Sequence, residues 1–156
     1  MQSDVIAVVE ASAFRRWMAV ATLVGMSMLM IYTGIQTGAS TILSICALAC
    51  GVFALVIAVQ LYQATRHRVE LTGEGLRDSS GILIASLDEI ASLDRGFLAF
   101  KPSNGFVLKT RAPNARTWRP GLWWRIGRQV GVGGVVPGHQ ARFMADRVAE
   151  LLSARL

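Results

Sequence analysis

From Trp17 to Thr65 the chain contains no Asp, Glu, Lys, Arg or His. A transmembrane helix needs roughly 20 apolar residues, so this run has room for two. The pattern predicts helices over residues 17–35 and 41–62, with "TGIQTGAS" supplying a tight turn between them. Trp17, Tyr32 and Tyr62 fall near the predicted ends, where amphipathic rings prefer the headgroup level. Gly25, Gly34 and Gly51, with Ala47 and Ala54, offer small surfaces for close helix packing. Cys46 and Cys50 share one helix face, have no further ligands at that depth, and read as small apolar packing residues.

The leading "MQSDVIAVVEASAFRR" carries Asp4 and Glu10, lacks a basic start and is followed at once by both spans, which argues against a cleaved signal peptide. Arg15 and Arg16 precede the first span, Arg66 and Arg68 follow the second, and the turn has no basic residue. This bias places both termini in the cytoplasm. Residues 3–16 read as a short amphipathic helix, with Ser3 as N-cap and Ile6, Val9, Ala13 and Phe14 at helical spacing. The resulting division is a 1–16 lead-in, a 17–62 hairpin and a 66–156 domain.

After Arg68 the pattern changes to short segments broken by turn residues. "RVELTGEGLRD" gives two strands around a Gly-Glu-Gly turn, and "GILIASL" and "EIASLDRG" give two more. "GFLAFK" and "GFVLKT" flank the turn signal Asn104-Gly105. "RAPNAR" reads as a loop, and a strand pair runs through "RTWRPGLWWRIGRQVGVGG". The last segment, "QARFMADRVAELLSARL", places Phe143, Met144, Val148, Leu151 and Leu152 on one helical stripe behind Pro137 and Gly138.

About seven antiparallel strands closed by one C-terminal helix resemble the pleckstrin-homology (PH) superfold. The wording "VELTGEGLR", "LDEIASL" and "WRPGLWWRIGRQVGVGG" followed by a helix is similar to bacterial PH-like domains tethered to a pair of transmembrane helices, over about residues 68–156. The resemblance implies a membrane α-helical hairpin plus an α+β cytoplasmic domain, a PH-like antiparallel β-sandwich or barrel. It also implies a multi-pass protein of the bacterial inner membrane that binds or scaffolds. It brings no catalytic residue with it.

Charge is unevenly spread within the net +6. Residues 66–94 hold Arg66, Arg68 and Arg77 against six acids, whereas from Arg95 to Arg142 every charged residue is basic. A one-signed face of this kind fits the anionic inner leaflet, where each nearby Lys or Arg gains about 1 kcal/mol, or an acidic partner surface. Arg111, Arg116, Trp118, Arg119, Trp123, Trp124, Arg125 and Arg128 are the candidate lipid or partner contacts. Trp123 and Trp124 are neighbours in a strand, so they point to opposite faces and one of them belongs to the core.

Interleaved Arg and Trp also grip single-stranded nucleic acid, but a membrane hairpin argues against that use. "GVGGVVPG" lacks the Lys and Ser/Thr of a phosphate loop and the parallel unit of a dinucleotide site, so it reads as a final strand and turn. Asp88 and Glu89 diverge as neighbours, and His67 and His139 have no nucleophile or clustered ligands near them. The expected function is therefore that of a non-catalytic accessory or adaptor protein, its hairpin packed against a larger integral membrane complex. The alternative is an anionic-lipid-responsive surface module. Neither reading calls for a cofactor, a metal, nucleic acid or a small-molecule substrate.

Overall fold

Val5–Glu10 forms a β-strand, β1, and not the helix expected over residues 3–16. Three Val and one Ile in six residues favour the pleated backbone. The partner that fixes it, β2 (Arg68–Thr72), lies beyond both apolar helices in the sequence. The two strands pair antiparallel, Val9 opposite Val69 and Glu10 opposite Arg68, which buries Ala7 and Val9 and exposes Val8 and Glu10. The computed structural model describes residues 4–37, 41–94 and 104–154; Ser3, the expected N-cap, lies outside them. The chain divides into two units, Ala13–Gln63 and the pair Met1–Ser12 with Ala64–Leu156. The helical unit is thus an insertion between two neighbouring strands of one sheet.

In the helical unit, α1 (Ala13–Gln36) and α2 (Ile42–Ala64) run for 24 and 23 residues, and both are long and apolar enough to span a membrane. The first begins earlier than the apolar run does and includes Arg15 and Arg16. Their seam is reciprocal. Ser27 Oγ donates to the Gly51 carbonyl at 2.7 Å, and Ser44 Oγ donates to the Gly34 carbonyl. Each helix thus gives a serine and, one heptad later, a glycine, each set against the opposite residue of an antiparallel partner. A Cβ on Gly34 would come within 2.8 Å of Leu48 Cγ, and one on Gly51 within 2.7 Å of Ile31 Cγ1.

Gly25, expected in the same seam, faces open space. Cys46 and Cys50 share a face as expected, but it is the hairpin's outer surface and not its packed interior. The Trp17 and Tyr62 rings meet at 5.7 Å between centroids, with the Arg16 guanidinium 5.8 Å from the Tyr62 centroid.

The second unit has two antiparallel sheets. One follows the order β1, β2, β3 (Gly75–Asp78), β4 (Leu83–Ser86); the other follows β5 (Ile90–Asp94), β6 (Phe106–Arg119), β7 (Trp123–Val132). A short 3₁₀ turn, Leu87–Glu89, links them, and α3 (Gly138–Ser153) closes the unit, packing chiefly on β1. The core is shared: Val9, Val69, Leu71 and Ile84 from the first sheet meet Leu108, Trp123, Val130 and Val132 from the second and Met144 and Val148 from α3.

The expected strand "GFLAFK" falls on residues 95–103, outside the described residues. "RAPNAR" belongs to β6 rather than to a loop. The β6–β7 register skips from Lys109↔Gln129 to Asn114↔Gly127, so Pro113 is not asked for the N–H it lacks. On α3 the inward stripe is Ala141, Met144, Ala145 and Val148, with Leu151 and Leu152 beside it. Phe143 is exposed instead, under the Arg147 guanidinium at 5.1 Å. "GVGGVVPG" is the expected strand end and turn, tied back by Gly133 N to Leu122 O and Val135 N to Gly121 O.

Candidate partner-binding surface on the β6–β7 ribbon

The register of the ribbon near its turn is Thr117↔Arg125, Trp118↔Trp124 and Arg119↔Trp123. Cross-strand partners share a face, so Trp118 and Trp124 stand together on one side and Trp123 and Arg125 on the other. Trp123 is the inward member of the Trp pair and is fully buried. Its Nε1–H donates to Asp78 Oδ2 at 2.9 Å, which satisfies a polar atom that the core would otherwise strand.

Asp78 is itself fully buried. Its Oδ1 accepts from Ser80 N at 2.9 Å and lies 3.6 Å from His67 Nδ1, while Arg119 Nε stands 4.0 Å from Oδ2. This carboxylate therefore ties the start of β2, the β3–β4 turn and the tip of β6–β7 to one point.

Arg125, partly buried, is likewise committed to the fold. Its Nε donates to Ala115 O at 2.8 Å, its Nη1 to Leu83 O and Ile84 O at 3.0 Å each, and its Nη2 to Thr117 Oγ1 at 3.4 Å. Its guanidinium carbon lies 6.0 Å from the Trp123 ring centre. One guanidinium thus joins β4 of the first sheet to β6 and β7 of the second. Of the eight residues expected to meet lipid or a partner, Trp123 and Arg125 turn inward and Arg119 leans on Asp78. Arg111, Arg116, Trp118 and Arg128 are exposed, and Trp124 is half-buried.

The outward face holds an apolar group of which the sequence singled out Trp118 and Trp124 but not Val107 or Ile126. Gly127, at φ +59°, interrupts the alternation of β7: Trp123 points inward before it, Val130 and Val132 after it. Odd and even positions exchange faces at such a bulge. Trp124 and Gly131 therefore end on the same outer side, and the indole lies where a Gly131 Cβ would meet it at 2.4 Å. Val107, the cross-strand partner of Gly131, is 4% exposed yet stands apart from the main core, as a residue under this outer cover would. Beside it, Trp118 at 53% and Ile126 at 50% remain exposed. Ile126 was legible only through its alternation with Trp124.

Electrostatically the two sheets differ. On the outer side of the first, Glu70 Oε1 accepts from Arg68 Nε at 2.8 Å and Oε2 from Arg77 Nε at 3.0 Å. Burial pushes the Glu70 carboxyl up, but these hydrogen bonds and the two positive charges outweigh it and hold the group below the ordinary glutamate range. That sheet neutralises its own arginines. The exposed cations of β6 and β7, Lys109, Arg111, Arg116 and Arg128, have no acidic residue in their own stretch of chain.

A cleft of about 430 Å³ opens elsewhere, between Asn104–Phe106 and α3, with Arg142 and Asp146 among its lining. Among the described residues no group of three metal-ligating side chains comes together. Comparison of the chain with protein-family models, with curated proteins and with solved structures finds no match in any of the three.

Proposed function

We propose that this protein is a non-catalytic accessory or adaptor of a bacterial inner membrane, with both termini cytoplasmic, a transmembrane hairpin, and a PH-like domain interrupted by that hairpin after its first strand. The order of four strands, three strands and a closing helix supports the PH-like reading. Arg15, Arg16, Arg66 and Arg68 at the two helix ends support the orientation.

The observation that carries the adaptor reading is the hairpin's surface. Its seam is already filled by the Ser27–Gly51 and Ser44–Gly34 contacts, yet large apolar side chains crowd its outside. These include Trp17, Met26, Met28 and Leu29 on α1 and Ile45 and Phe53 on α2. A shallow groove on α2 runs between Leu48, Val52 and Val56. In lipid, helix association rests on shape and close packing rather than on hydrophobicity, and a grooved, self-packed hairpin suits lateral contact with a larger membrane protein. The experiment is native-gel migration of the tagged full chain from its own membranes in mild detergent. A high-mass band that collapses on Ala49→Leu or Val52→Trp is expected; a lone band at the 16.9 kDa chain's own mass in every mild detergent counts against it.

A further inference from the structure

The tip of the β6–β7 ribbon lies at a particular end of its unit. Trp123 and Arg119 both reach Asp78. Asp78 is the cross-strand partner of Val69, and Ser79 N donates to Arg68 O at 2.9 Å. Arg68 in turn pairs with Glu10. The tip therefore occupies the end of the sheet domain at which the chain departs for α1 and returns from α2, through connections of only two residues, 11–12, and three, 65–67.

We propose that this tip docks on an anionic lipid surface, with the Trp118 indole and Ile126 at headgroup level and Arg116 and Arg66 against phosphates. The inference rests on the reading of α1 and α2 as membrane spans. Short connections keep that end of the domain near whatever surface the helices enter. Trp118 and Ile126 are half exposed on one face, and an indole with one apolar and one polar edge is the side chain that settles at the membrane–water boundary. Arg66 and Arg116 are both exposed. Of the nearby acids, Asp78 is enclosed beneath Trp123, while Glu10, beside Arg68 in the sheet register, is exposed at the same end, so Arg66 and Arg116 outnumber it there. The surface is a ribbon face rather than a cleft, since the 430 Å³ cavity lies against α3. A bilayer needs no pocket to receive it.

The test uses the full chain in lipid nanodiscs and brominated lipids, which quench tryptophan on contact. Trp118→Phe preserves an aromatic ring but removes one emitter, so the difference from wild type reports the depth of Trp118 alone. In discs containing phosphatidylglycerol, the expected result is a quenched Trp118 share that disappears when phosphatidylcholine replaces the anionic lipid. Arg116→Gln should lower the docked-to-free ratio about fivefold, the equivalent of about 1 kcal/mol for one cation. Equal quenching with and without Trp118 in anionic discs overturns the proposal, as does quenching indifferent to lipid charge. Protection of the tip in native membranes but not in discs also overturns it and assigns the surface to a protein partner. Trp17→Phe in the same discs separates the underlying reading: loss of no quenching there removes α1 from the bilayer, whatever Trp118 does.

Discussion

Trp123 donates its indole N–H to Asp78 Oδ2 at 2.9 Å, joining residues that stand on different sheets. A hydrogen bond to a buried charge is worth about 1.5–3 kcal/mol, and leaving the carboxylate short of a donor adds its desolvation penalty. Trp123→Phe is therefore expected to destabilise the sheet unit by about 3 kcal/mol, counting the smaller ring. Asp78→Asn keeps the shape but removes the charge and turns one of the two oxygens that accept from Ser80 N and Trp123 Nε1 into a donor. If the bond matters beyond packing, the Phe substitution costs less in the Asn background, a coupling that urea unfolding followed by near-ultraviolet circular dichroism measures directly.

The Arg68–Glu70–Arg77 triad predicts an acid-sensitive contribution to stability. The carboxyl of Glu70 sits below the ordinary glutamate range in the folded state, so the unfolded chain takes up its proton first as pH falls. Stability from this site is complete above the ordinary glutamate range and is lost as pH drops through the folded value. The wild-type chain should lose stability across that window faster than Glu70→Gln, with the two curves parallel above it. Because Arg68 and Arg77 are partly exposed, added salt should narrow the difference.

The same few residues show what sequence reading can and cannot reach. The apolar helices were legible because a run of such length without charge, rich in Ala, Leu, Val, Ile and Met, satisfies its backbone as long helices. Strand β1 was misread because Val5–Val9 is a continuous apolar run, which periodicity cannot assign to helix or strand; its partner Val69 arrives only after both helices. The faces of the β6–β7 ribbon turn on Gly127. A bulge there exchanges inside for outside, and no alternation rule written across it can place Trp124 over Gly131, whereas Ile126, ahead of the bulge, follows from its alternation with Trp124. The fate of Arg125 is a tertiary fact, since its acceptors at Leu83 and Ile84 belong to another sheet.

In the helical hairpin, three glycines that look alike in sequence should respond differently to one substitution. Gly25→Ala meets open space and is expected to leave hairpin stability unchanged or slightly raised, as alanine is the better helix former. Gly34→Ala pushes against Leu48, and Gly51→Ala against Ile31 Cγ1 and the Ser27 carbonyl oxygen. Overpacking of this kind costs about 1–3 kcal/mol, and it also lengthens the neighbouring serine–carbonyl bond. Ser27→Ala alone should cost only about 0.6 kcal/mol, the usual worth of an interhelical hydrogen bond in lipid. Reversible unfolding of the hairpin in mixed micelles, read by resonance energy transfer between labels at the two helix ends, ranks the four variants.

Arg116 and Arg125 lie in the same short basic stretch, and their substitutions should separate structure from surface. Arg125→Gln removes donors from three backbone carbonyls on two sheets, Ala115, Leu83 and Ile84. The Ala115 and Leu83 carbonyls are exposed enough for water to replace the lost donors, whereas the Ile84 bond is partly buried, so the loss of the cross-sheet tie should cost about 1–2 kcal/mol and the sheet unit should melt below wild type. Arg125→Lys should rescue little, because a single ammonium cannot reproduce a planar fork that reaches both sheets. Arg116 is exposed, and Arg116→Gln should fall within about 0.5 kcal/mol of wild type, as surface substitutions do. Thermal unfolding of the full chain, followed at the near-ultraviolet tryptophan bands, supplies the comparison. A melting temperature for Arg125→Gln equal to that of Arg116→Gln would mean that the guanidinium does not hold the two sheets together.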